Sequence, residues 1–123
     1  MLPRPHKLAS SADFRQTMRK GVRAGSRTLI VHVRSRADDA VALHGGPRFG
    51  LIVSKQVGNA VTRHAVSRKL RHVLRGGVEK LELHHDVVVR ALPASATATS
   101  AQLAHDYDAA LRKALDKWRT TTS

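Results

Sequence analysis

Between Gly58 and Gly77 stand five Lys or Arg residues, Arg63, Arg68, Lys69, Arg71 and Arg75, with no Asp or Glu among them. Wound as a helix at 100° per residue, His64, Arg68, Arg71 and Arg75 fall within about 60° of one another, and Val66, Leu70, Val73 and Leu74 within about 100° on the opposite side. A solvated outer face normally mixes signs, because like charges four residues apart, such as Arg71 and Arg75, repel by a few tenths of a kcal/mol. Phosphate groups would supply the missing counter-charge. Gly58 and Asn59 ahead of the helix suit a tight turn whose backbone amides, with the helix dipole, also favour anions.

The histidines and carboxylates offer less. His84 and His85 are adjacent and would point to opposite sides of an extended segment. His64 and His72 share a helical face but lie about 12 Å apart, too far for one ion. A protein-held Mg²⁺ needs clustered carboxylates, and Asp38-Asp39 reads as a solvated turn. The sequence contains no P-loop, no GxGxxG and no GxSxG, so no catalytic residue and no protein-bound metal is assigned.

The chain has 123 residues, a length for one domain and a modest core, with tails over about 1–9 and 120–123. It lacks cysteine, which excludes disulfides, a Cys nucleophile and thiolate metal sites. No apolar run approaches the roughly 20 residues of a membrane span. The expected location is the cytoplasm, with no membrane partner. The net charge of +13 is confined to residues 1–75, which carry 16 Lys or Arg against Asp13, Asp38 and Asp39, whereas six residues of each sign follow. Such a block implies a polyanionic partner, foremost a nucleic acid.

The elements that must carry these residues are legible in outline. Ser10 or Ser11 caps a first helix with Phe14 and Met18 four residues apart on one face, ended by Gly21 and Gly25. "RTLIVHVR" is a strand with Leu29, Val31 and Val33 on one face and Ile30, His32 and Arg34 on the other. After a turn ending at Gly45-Gly46-Pro47, "RFGLIVSK" makes a second strand, expected to pair antiparallel with the first. "HDVVVRAL" is a further strand, "PASATATS" a small-residue loop, and Leu103, Tyr107, Ala110, Leu111, Ala114 and Trp118 mark the apolar face of a last helix. The order is helix, two or three strands, helix, strand, helix: an α+β chain with helices packed on a small sheet.

The stretch "SKQVGNAVTRHAVSRKLRHVLR" resembles the signature of the bacterial ribonuclease P protein family, usually SKKVGNAVxRNxxKRxxRE. "LPRPHKLASSADFRQTMRKG", "RFGLIVSK" and "DVVVRALP" resemble that family too, in its order, so the likeness covers nearly the whole chain. It implies an αβββαβα fold with a left-handed βαβ crossover carrying the basic helix. It implies one protein per catalytic RNA, with the hydrolysis performed by that RNA using Mg²⁺, and removal of the 5′ leader of precursor tRNA. On this resemblance Lys55, Asn59, Arg63, His64, Arg68, Lys69, Arg71, His72 and Arg75 form the RNA-binding helix and its preceding turn. Phe14, Met18, Ile30, His32, Arg90 and Leu92 line the leader cleft.

The chain departs from the signature at His64, Ala65 and Ser67, where Asn, Arg and Lys are usual. Met18 replaces a second aromatic ring, and Arg90-Ala91-Leu92 stands where an apolar residue, Ala and Arg are common. The alternative reading is a general RNA-binding or ribosome-associated protein. A helix-turn-helix DNA reader is disfavoured because the basic helix follows a strand, not a partner helix.

Overall fold

The computed structural model describes residues 15, 17–19, 21–35, 48–76 and 85–122. Phe14, the Ser10 or Ser11 cap, Asp38-Asp39, the turn before Arg48 and His84 lie outside them. Helical residues 15 and 17–19 are followed by β1 (Val22–Gly25), β2 (Leu29–Ser35), β3 (Arg48–Ile52), α1 (Ala60–Gly76), β4 (His85–Ala91), a 3₁₀ turn (Pro93–Thr97) and α2 (Ser100–Thr122). This is the mixed α+β order expected. Helix α2 takes in residues 120–122, which the sequence reading leaves to a tail.

The four strands form one sheet in the order β1-β2-β4-β3, with β4 antiparallel to β2 and parallel to β3. The expected antiparallel pairing of β2 with β3 is therefore wrong: β4 lies between them. The reason is in its composition, because Val87, Val88 and Val89 are all fully buried, and a strand apolar on both faces belongs in the middle of a sheet. The parallel pair forces a crossover, and α1 supplies it.

Strand β1 is the third strand that the resemblance implies, at a place the residue pattern did not mark. The helical segment ends at Gly21, whose N–H donates to the Thr17 carbonyl at 3.1 Å, and Gly25 ends β1, not a helix. A Cβ at Gly21 would collide with the Val33 and Thr17 carbonyl oxygens, so the chain can cross β2 here only as glycine. β1 then pairs antiparallel with β2, and the Ser26 N–H donates to the Leu29 carbonyl at 2.8 Å to close the hairpin.

Strand alternation sorts the residues between two faces. Leu29, Val31, Val33, Phe49, Val87, Val89 and Ala91 face a core completed by Val66, Leu70 and Leu74 of α1 and Leu103, Tyr107, Ala110, Leu111 and Ala114 of α2. Both helices thus cover one face. Trp118 extends this seam, its ring meeting His85 edge to face at 5.2 Å. Burial, then the nearby Asp108 charge, pushes the Tyr107 phenol far up, so it stays neutral in this core.

Candidate nucleic-acid interface

Helix α1 is held from its buried side and by its start. Val66, Leu70 and Leu74 are 0% exposed, and Val73 packs partly against them. Asn59 is the N-cap: its Oδ1 accepts from the Thr62 N–H at 3.0 Å and its carbonyl from the Arg63 N–H at 2.9 Å. Gly58 precedes it at φ +156°, where an added Cβ would sit 2.9 Å from Thr62 Cγ2. Asn59, nominated from the sequence as an RNA contact, thus has a structural task for its side-chain oxygen.

The opposite side of α1 carries exposed His64, Arg68, Arg71, His72 and Arg75. Arg68 and Arg71 make no hydrogen bond or ion pair with the described residues. Lys55 is exposed in the turn between β3 and α1. The remaining two basic residues stand apart from this ridge. Lys69 donates its Nζ to the Ala98 carbonyl at 3.0 Å, tying α1 to the segment before α2. Arg63 is half-buried toward the apolar side, its Nε enclosed.

The second candidate surface is the sheet face away from the helices. Pairing places its residues in three cross-strand rows. The first is Arg34, Asp86 and Arg48; the second Arg23, His32, Val88 and Gly50; the third Gly25, Ile30, Arg90 and Ile52. Ile30, His32 and Arg90, expected to line one cleft, therefore share a face, with Arg90 exposed, Ile30 half-buried and His32 only 4% exposed. Leu92 follows β4 in extended backbone and is half-buried; its N–H donates to the Thr28 carbonyl at 2.8 Å. Met18 is half-buried on the helical segment.

Burial first, then the positive charges of Arg23 and Arg90, lower the His32 pKa, so the ring is neutral at neutral pH. Its Nε2 is enclosed without a hydrogen-bond partner among the described residues.

The sequence reading missed the first row. Arg48 Nε donates to Asp86 Oδ1 and Nη2 to Oδ2, both at 2.8 Å, and Arg34 Nη2 donates to the same Oδ2 at 3.1 Å. Asp86 is 0% exposed. Sequence separations of 38 and 52 residues hide these pairs from any local pattern. The described residues do not fit a protein-held Mg²⁺: Asp86 is the one carboxylate in these rows, and it is enclosed between two guanidiniums. Among the described residues no group of three or more His, Cys, Asp or Glu could hold a metal ion. No described helix is long and apolar enough to cross a membrane.

An exposed cationic helix face and a second, partly apolar sheet face with four arginines and a neutral histidine are features of a surface for polyanions. The family model "Ribonuclease P" matches residues 2–115. The "Ribonuclease P protein component" of Corynebacterium diphtheriae is 54% identical over 114 residues, covering 92% of this chain and 96% of the relative. That of Rhodococcus opacus is 52% identical over 105 residues, covering 84% and 83%. Among solved structures, the RNase P protein of Staphylococcus aureus superimposes with a TM-score of 0.74 at 25% identity, covering 89% of this chain and 94% of that one. The Thermotoga maritima RNase P protein shares the fold, with a TM-score of 0.68 at 18% identity over 83% and 91% of the two chains. Motif, fold and relatives converge, and the chain belongs to the ribonuclease P protein family.

Proposed function

We propose that this chain is the protein subunit of a cytoplasmic ribonuclease P, joining one catalytic RNA through the α1 ridge and receiving the 5′ leader of precursor tRNA on the outer sheet face. The carrying observation is that Arg68 and Arg71 stand exposed on a helix whose other side is fully buried, with no described group to balance them. Phosphates of a structured RNA would provide that balance. On the sheet face, half-buried Ile30 offers apolar contact to unpaired bases, and Arg23 and Arg90 offer charge to the backbone joining them. The hydrolysis is assigned to the RNA and its Mg²⁺, since the described carboxylates form no site for it.

Two sets of variants of the reconstituted holoenzyme test the division. Ile30→Ala and His32→Ala, with melting confirmed, are expected to weaken precursor tRNA and leave mature tRNA nearly unaffected. Arg68→Ala is expected to weaken assembly with the catalytic RNA whichever tRNA is present. Equal loss of both tRNAs in both sets would refute the leader assignment.

A further inference from the structure

The outer sheet face is closed at one end and open at the other. Asp86 and Val88, the outward residues of β4 in the first two rows, are fully buried, and His32 beside Val88 is nearly so. In the third row Gly25 and Arg90 are exposed and Ile30 between them is half-buried. A strand of RNA meets open surface along this third row, across the β-strands, and not down their length.

At its β1 end the row is low and cationic. Gly25 leaves the floor beside Ile30 without a side chain, yet neither backbone nor packing demands glycine there: its φ is not positive, and an added Cβ would meet nothing nearer than Ile30 Cγ1 at 3.9 Å. Arg23 on β1 and Arg27 in the β1–β2 turn are exposed, and their side chains make no hydrogen bond or ion pair with the described residues. The turn that presents Arg27 is anchored. The Ser26 N–H donates to the Leu29 carbonyl, and fully buried Thr28 donates its hydroxyl to Asp106 Oδ2 of α2 and accepts the Leu92 N–H.

The topology gives the order in which a leader would meet these residues. Helix α1 follows β3, and β3 lies at the opposite edge of the sheet from β1. With the catalytic RNA on α1, a leader leaving the cleavage site reaches β3 and β4 first and β1 last. Two strand spacings, about 10 Å, separate β4 from β1. A nucleotide has six backbone bonds where an amino-acid residue has three, so it extends about 7 Å, and the reach of an arginine side chain covers the remainder.

Resting on the reading of this face as the leader site, we infer that the β1–β2 hairpin forms a subsite of its own for single-stranded RNA. It takes the leader nucleotide on the 5′ side of the one at Arg90. The base lies over Ile30 and Gly25, and the phosphate is taken by Arg23 and Arg27.

The test is a leader-length series on the reconstituted holoenzyme, with precursor tRNAs whose leaders grow one nucleotide at a time. With wild-type protein, the nucleotide that reaches the hairpin is expected to tighten binding about threefold. The variant carrying Arg23→Gln and Arg27→Gln is expected to match the wild type on shorter leaders and on mature tRNA, and to lose that one increment. Gly25→Ile is expected to lose the same increment while melting no lower than the wild type, because the site has room and a β-branched residue suits a strand. Gly25→Ala is expected to keep it. If wild-type affinity rises with leader length and the arginine variant follows the same profile, or if the variant loses mature tRNA and every precursor equally, this inference fails alone. If leader length makes no difference to the wild type, the reading of the face fails and takes this inference with it.

Discussion

Arg68 and Leu70 lie two residues apart on α1 and on opposite sides of it, the first exposed and the second fully buried. This geometry separates two roles within one segment. Leu70→Ala is expected to destabilise the fold by about 2 to 5 kcal/mol, since it leaves a cavity beneath the helix. Arg68→Ala is expected to leave stability nearly unchanged and to reduce the slope of log affinity against log salt for RNA by about one unit. Denaturant melts and a salt titration on the same two proteins check both halves.

Asp86 gives the opposite case, a charge whose loss is felt by the fold. Replacing it leaves Arg48 and Arg34 facing each other over a closed site, and breaking a buried pair from one side typically costs about 3 to 5 kcal/mol. Asp86→Ala is expected to fall in that range by chemical denaturation. A loss below 1 kcal/mol would mean that solvent already screens the cluster.

Asn59 was nominated for RNA contact, but its Oδ1 already accepts the Thr62 N–H. Asn59→Ala is expected to cost about 1 kcal/mol of stability, as losses of a helix N-cap do, and Asn59→Asp to restore it. If RNA affinity falls in Asn59→Ala with no change in melting, the cap is not its main role.

How far the sequence carried the structure depends on the range of the interaction. The α1 ridge and its apolar arc were legible because both repeat with the helical period within 17 residues. The faces of β2 were legible from strict alternation: Leu29, Val31 and Val33 are fully buried in the core, and Ile30, His32 and Arg34 face away. Strand order was not legible, because β2 and β3 are neighbours in sequence, and only the two-sided burial of Val87 to Val89 betrays β4 as the strand between them. The αβββαβα order calls for a strand here, but its location was not legible because "VRAG" is four residues long and ends in glycine, so its stability comes from pairing with β2. Of the candidate site, Ile30, His32 and Arg90 fall on one face of the sheet, as strand alternation places them. The ion cluster of Arg34, Asp86 and Arg48 was out of reach, since nothing near Asp86 in sequence announces its partners.

His32 makes a pH signature. Its folded pKa lies below the ordinary 6.5, through burial and then Arg23 and Arg90. Arg23 faces it from β1, Arg90 and Asp86 flank it on β4, and Arg34 is on its own strand. The unfolded chain therefore takes up this proton first as pH falls. Stability is unaffected well above 6.5, declines as pH drops from there through the folded pKa, and loses nothing more from this group below it. His32→Gln is expected to flatten the stability curve within that window. Parallel curves for the two proteins would place the acid sensitivity elsewhere.

The central claim, that the chain serves a catalytic RNA in removing tRNA leaders, is tested most directly by cleavage of precursor tRNA at limiting Mg²⁺ and modest ionic strength. The account predicts little cleavage by the RNA alone, none by the protein alone, and correct 5′ cleavage when the two are combined. Metal-dependent cleavage by RNA-free protein, or an RNA whose activity the protein leaves unchanged, would contradict it.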